Sequence, residues 1–279
     1  MQAYQALHAT GYVDAHVHIR DTTVLNAVAA AEIAAVRDAG MRDGAGLLVK
    51  SSAEQPGLPI VIAAGWALYK KGGYGSRFGV AVETRDEIKG EILKLKTAGA
   101  DIIKVMVSGM VSLQEPGTVT PGGFDREDLR FIVAEAAALG LGVMAHANAE
   151  PAIMSAAEAG VRSIEHGFFM TARALEMMAK QKIYWTPTVG ALARATEAAG
   201  GSPEMREFVS RLIVDHLKMM QHAYAADVPL AVGTDCVLPD PHYREIYDAE
   251  LSYFEQAGIS HESVMKIARE GGAGLLGLQ

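Results

Sequence analysis

Stretches of alternating and of continuous apolar residues punctuate the chain, and most are followed by a segment with apolar positions at helical spacing. Tyr12 to Arg20 reads as a buried strand, and Thr22 to Ala35, rich in Ala, Val, Leu and Ile with Asp21 or Thr22 as N-cap, reads as a helix. A weak strand candidate follows near Ala35 to Asp38. Leu58 to Gly65 is a short buried strand, and Trp66 to Gly79, with its glycines and polar residues, a long loop. Arg85 to Ala98 predicts a solvent-facing helix stopped at Gly99, and Asp101 to Val107 a strand. Ser108 to Phe124 is a second Gly/Pro-rich loop, Asp125 to Leu139 a helix, and Gly142 to His146 a strand. Pro151 to Ala159 is helical, Val161 to His166 extended, Thr171 to Gln181 helical and Ile183 to Pro187 extended. Pro203 to Ala226 predicts a long helix, Pro229 to Asp235 the last strand, and Tyr243 to Gln256 and His261 to Leu276 the closing helices.

This pattern gives about eight strand candidates, nearly all followed by helix-like stretches. Repeated βα units of this length imply right-handed crossovers and a parallel sheet, and eight of them close into a (β/α)8 TIM barrel. No linker, composition shift or repeat divides the chain, so residues 1–279 are expected to form a single domain.

Composition narrows the functional classes. Half of the 279 residues are apolar, enough for one large core. A formal net charge of -8 with scattered Lys and Arg disfavours nucleic acid and anionic membrane as partners and favours a small-molecule substrate. The single cysteine, Cys236, excludes an intramolecular disulfide and a cysteine-based zinc cluster, and a reducing cytoplasm is the default location. Met1 to Tyr12 lacks the basic and apolar regions of a signal peptide, and no apolar run approaches the roughly 18 residues of a membrane span.

The candidate chemistry lies at strand ends. His16 and His18, one residue apart on the first strand, project to the same side while Val13, Ala15, Val17 and Ile19 face the other. Two imidazoles fixed in this way suit a divalent cation, although an isolated His-x-His is more often a pair of half-buried polar residues. Further on, Lys104 sits in the fourth strong strand position, His146 and His166 end the fifth and sixth, and Asp235 follows the eighth. In a parallel barrel these positions share the catalytic face. The other histidines considered, His8, His216, His222 and His261, lie before the first strand, in a long helix or at the start of a helix, and read as structural or solvent-facing.

These residues, with Ala145-His146, Ser163-Ile164-Glu165-His166-Gly167, Thr186-Pro187-Thr188 and Thr234-Asp235 followed by Pro241-His242, resemble the amidohydrolase superfamily of metal-dependent hydrolases. They most resemble its imidazolonepropionase-like and Xaa-Pro dipeptidase-like branch. The resemblance runs from about Gly11 onward, without the small β-sandwich usual in the family. It implies a binuclear centre: His16, His18 and Asp235 on one metal, His146 and His166 on the other, and Lys104 as a carbamylated, bridging ligand. Zinc is the expected metal, with manganese or cobalt as alternatives. The bland alternative for Lys104 is a lysine paired with a carboxylate.

The implied activity is hydrolysis of a C–N bond in an amide, dipeptide-like or cyclic amide substrate by a metal-bridging hydroxide, with Asp235 moving the proton. The same centre would serve a lactonase or phosphoesterase, and a noncatalytic metal-bound barrel is the rival from another class. Asn148 stands where many relatives carry a second histidine and is a candidate substrate contact. Tyr69, Arg77, His242 and Tyr243, on loops after the third and eighth strands, are further candidates for substrate binding, with His242 also placed to assist the leaving group. Solvated loop residues are the alternative for each. Cys236, beside Asp235, reads as a packing residue, and self-association is left open.

Overall fold

The computed structural model describes residues 11–53 and 57–278. His8 and most of Met1 to Tyr12 lie outside the described residues. The first half contains β1 (Tyr12–Ile19), α1 (Val24–Ala30), β2 (Ile33–Asp38), α2 (Ala45–Ser52), β3 (Ile60–Ala63), β4 (Ala67–Lys70), β5 (Gly79–Val82) and α3 (Arg85–Thr97). The second half runs β6 (Ile102–Met106), α4 (Arg126–Ala138), β7 (Gly142–Ala147), α5 (Glu150–Ala159), β8 (Ser163–His166), α6 (Ala172–Gln181), β9 (Tyr184–Thr186), α7 (Val189–Ala198), α8 (Pro203–Ala225), β10 (Cys236–Leu238), α9 (Tyr243–Gln256), α10 (His261–Lys266) and α11 (Gly272–Leu276).

All ladder pairs are parallel, in the orders β10-β1-β2-β3 and β5-β4-β6-β7-β8-β9. Single hydrogen bonds stitch the two arcs together. At one seam Asp101 N donates to Ala63 O (2.9 Å). At the other, residues 229–235 lie between β9 and β1: Ala231 N donates to Trp185 O (3.0 Å) and Ala15 N to Val232 O (2.8 Å). The result is a (β/α)8 barrel in which the third stave is broken at Gly65-Trp66 and the eighth is largely irregular.

Strand parity explains what fills it. On β1 the side chains of Val17 and Ile19 join the apolar layer beneath the helices, while His16 and His18 take the opposite face. From β2, the fully buried Arg37 crosses to Ser163 and Glu165 on β8. Several helices are fixed at their starts by side chains. Thr84 and Glu87 form a reciprocal capping box on α3, and Asp125, Thr171 and Ser202 cap α4, α6 and α8.

Several sequence expectations need correction. The first helix ends at Ala30 rather than Ala35, and the weak strand candidate near Ala35 to Asp38 is a full strand, Ile33–Asp38, between β1 and β3. Alanine-rich stretches carry little period, so tertiary pairing decides. The Trp66–Gly79 loop contains β4, and the Ser108–Phe124 loop folds back on itself through an antiparallel bridge between Val111 and Val119. The last predicted helix is interrupted by a π-turn at Ile267–Gly271.

Candidate metal centre and its cavity

Every imidazole at the strand ends has one ring nitrogen tied outward. His16 Nδ1 bonds Glu165 Oε2 (2.8 Å), His18 Nδ1 the Gly40 carbonyl (2.7 Å), His146 Nε2 the Gly109 carbonyl (3.1 Å) and His166 Nδ1 the Thr188 hydroxyl (2.7 Å). A carboxylate or carbonyl partner can only accept, which fixes the tautomers of His16, His18 and His146 and leaves their second nitrogen as a lone-pair donor, while the Thr188 hydroxyl orients the His166 ring. His16 Nε2 is buried with no hydrogen-bond partner. Asp235 completes the cluster, with Oδ1 3.5 Å from His16 Nε2 and 3.3 Å from His18 Nε2, and Oδ2 3.9 Å from His166 Nδ1. Ligand atoms of His16, His166 and Asp235 all lie within 4.8 Å of one another. The ring centroids of His146 and His166 are 4.5 Å apart. An unpartnered buried nitrogen facing a carboxylate and further imidazoles is the donor set a divalent cation requires, so the residues fit a metal.

Electrostatics point the same way. Burial, reinforced by Lys104, lowers His16 to about 4 and His146 to about 3, and burial takes His166 well below the ordinary range. All three are therefore neutral near pH 7, the form that ligates. Burial pushes the Asp235 carboxyl up, but the surrounding His16, His18 and His166 outweigh it and hold Asp235 well below the usual carboxylate range. Lys104, 1% exposed, is lowered to about 8 by burial. Among the described residues it makes no ion pair, so no paired carboxylate accounts for its place. His166 and Asp235, with Thr188 behind them, all have positive φ (66°, 52° and 49°). Non-glycine residues rarely adopt this conformation, and its clustering here places backbone strain at the site.

The sequence reading passed over the layer behind the ligands. Glu165, which accepts from His16, is itself held by Arg37 Nη2 (2.9 and 3.0 Å) and by the Ser163 hydroxyl. Burial acts to raise Glu165, and Arg37 with His16 overrides it, bringing the carboxyl to about 2. A signal was present: Glu165 shares strand parity with Ser163 on a short buried strand, and Arg37 stands between Val36 and Asp38 on another.

The other candidates fall in different places. Asn148 lines the cavity beside His146, but its amide is engaged, with Nδ2 donating to Gly109 O (3.2 Å) and Oδ1 accepting from Phe168 N (3.0 Å). Tyr243 is buried and donates to Asp14 Oδ2 (3.0 Å). His242 is exposed and pairs with Glu245 (2.7 Å). Tyr69 is half-buried and Arg77 exposed, and neither of them, nor His242 or Tyr243, is among the described residues lining the cavity. The same segment instead supplies Tyr74, 5.1 Å from the His146 ring, and Phe78, 4.4 Å from the His18 ring. His216 packs behind the site, stacked on Phe168. No helix among the described residues is long and apolar enough to cross a membrane.

Comparison with known proteins agrees with this geometry. An ochratoxinase of Aspergillus niger is 32% identical over 172 residues, 61% of this chain and 35% of its own length, so the chain spans about a third of that relative. An uncharacterised protein of Mycobacterium bovis is 27% identical over 267 residues, covering 91% of this chain and 70% of that one. Among solved structures, a Xaa-Pro dipeptidase with methionine in its active site superimposes with a TM-score of 0.81 at 22% identity, over 96% of this chain and 75% of that one. The Aspergillus niger ochratoxinase structure also gives 0.81, at 23% identity over 96% and 71% of the two chains. Residues 9–278 match the amidohydrolase family model, and the chain belongs to the amidohydrolase family.

Proposed function

We propose that this chain, as a single domain, hydrolyses a C–N bond in a small amide with two divalent cations, zinc in the first instance. The observation that carries the reading is the set of outward-tied imidazoles around Asp235, each keeping a lone pair for the cluster, with His16 Nε2 buried and unpartnered. Relatives described as an ochratoxinase and, by fold, a Xaa-Pro dipeptidase support a hydrolase.

In this reading His16, His18 and Asp235 would hold one cation and His146 and His166 the other. Lys104 joins them once its neutral amine has added to carbon dioxide, forming an N–C bond and releasing a proton to give a carbamate. Bound there, two cations would acidify the attacking water and polarise the substrate carbonyl. The protein's own part is orientation and proton transfer. Glu165, Gly40 and Gly109 hold His16, His18 and His146 in one tautomer each, and Thr188 orients His166. Asp235, ionised at neutral pH, accepts the water proton and returns it to the departing nitrogen. Tyr74 and Phe78 pack over the rings of His146 and His18 and limit the access of bulk water.

The test is metal content by elemental analysis of protein purified without chelators, together with amide hydrolysis before and after chelation. About two equivalents in wild type, falling sharply in Lys104→Ala, and activity lost on chelation are expected. One equivalent untouched by the substitution would leave Lys104 a structural residue. Absence of bound metal would overturn the hydrolase reading.

A further inference from the structure

We propose that the cavity over the cluster selects a neutral, apolar substrate group, and so an uncharged amide in preference to a free dipeptide. The proposal rests on the hydrolase reading above and names its substrate class. The cavity measures about 390 Å³, at the small end of the roughly 300–1,000 Å³ of ordinary ligand pockets. Beyond the ligand cluster its wall is Phe78, Met106, Met110, Val111, Phe168 and Leu192.

Outside the cluster the polar lining residues Tyr74, Ser112, Gln114, Thr120 and Asn148 carry no charge, and three of them already hydrogen-bond within the protein. Ser112 Oγ accepts from Gln114 N and Glu115 N, Thr120 Oγ1 accepts from Met110 N, and both ends of the Asn148 amide are bonded. Lys104 and Asp235 are the charged lining residues besides the histidines among those described, and both belong to the cluster. Of the two arginines nearest in sequence to lining residues, Arg194 donates to Thr234 O (2.5 Å), and Arg77 is exposed at the outer side of Phe78, 5.9 Å from the centre of its ring, and is not itself a lining residue.

A carboxylate or ammonium entering this wall would lose its hydration and, outside the cluster, meet no charged lining residue among those described. A free dipeptide brings one of each. The wall is also a built feature, because Val111, Phe168 and Leu192 form an apolar cluster with Val209 and Leu212 of α8, separate from the barrel core.

Matched anilides test this on metal-loaded protein. One series carries a neutral, carboxylate or ammonium group at the end of a six-carbon acyl chain, the other at the para position of the aniline. The neutral member is expected to exceed its charged partners in kcat/KM by about a hundredfold in the series whose variable end enters the cavity. In Met110→Arg, at a position already 48% exposed and so tolerant of a long side chain, the carboxylate member should recover most of that loss. Charged members turned over as well as neutral ones in both series would overturn the proposal.

Binding separates this from the hydrolase reading. If no anilide is cleaved, the hydrolase reading fails, and the cavity is judged by the fluorescence of N-phenyl-1-naphthylamine against its 8-sulfonate. Tighter binding of the neutral probe, with the order reversed in Met110→Arg, sustains the selection. Equal or tighter binding of the sulfonate to wild type overturns it.

Discussion

Behind His16 a guanidinium and a carboxylate are buried together, Arg37 at 1% exposure and Glu165 at 0%. Removing one partner of such a pair leaves an uncompensated charge, whereas removing both leaves only a polar gap. Arg37→Met should therefore cost about 3–5 kcal/mol in urea denaturation, and Arg37→Met combined with Glu165→Gln should recover part of it, a coupling read from the double-mutant cycle. The double variant should also bind zinc about 10–100-fold more weakly by competition with a chelating dye, because His16 loses its anionic acceptor. The residues gathered at the strand ends were legible in the sequence, since histidine, lysine and aspartate at successive strand ends are unusual residues in positions that strand parity fixes. Arg37 and Glu165 were not, because they are 128 residues apart and their meaning is their contact. Nearness in sequence misled in the other direction at Tyr243, which follows Asp235 by eight positions and turns to Asp14.

Two elements owe their positions to single residues. Gly46 presses α2 onto β2, and a Cβ there would lie 2.1 Å from Asp38 Oδ2. Gly46→Ala should destabilise by about 1–3 kcal/mol, measured by thermal melting, since the buried Asp38 has no room to retreat. At α7, whose Leu192 faces the cavity, the fully buried Glu250 of α9 accepts the backbone N–H groups of Val189 and Gly190 (2.7 and 2.8 Å). Burial raises that carboxyl from 4.5 to about 7. Folded protein then holds a proton that unfolded protein releases, so this group's contribution is complete below about pH 4.5 and is lost as pH rises to about 7. The stability advantage of wild type over Glu250→Gln should accordingly shrink by up to about 3 kcal/mol across that interval, followed by urea titrations at several pH values. The sequence pattern found the long charged helices and the β-branched strands. It gave no sign of α2 or α7, whose glycines and alanines carry too weak a period, and which are held by contacts such as these.

At the scale of the molecule, counting alternating segments was enough to reach the barrel, because eight parallel βα units have few other arrangements. It gave no information about the seams. The third stave breaks at Gly65-Trp66, and residues 229–235 are held by scattered bonds to β9 and β1 rather than by a ladder. One side of that eighth stave bonds β9 and the other β1, and it ends at Asp235 beside His16 and His18, so a bound cation would tie the last turn of the barrel to the first. Zinc returned to chelator-stripped protein should raise its stability by about 2.7 kcal/mol at a hundredfold excess over Kd, read as an upward shift of Tm. Unfolding in a single cooperative transition, by fluorescence and circular dichroism alike, is the expected behaviour of one domain.

The carbonyl of Gly109 carries a consequence for divergence. It accepts from both His146 and Asn148, and the next residue, Met110, already lines the cavity. Specificity can therefore drift at the tip of the 108–124 segment while its root stays fixed. A graft from a relative that keeps the backbone at 109 would carry over a new preference intact, whereas an insertion one residue earlier would exchange taste for chemistry and lose both.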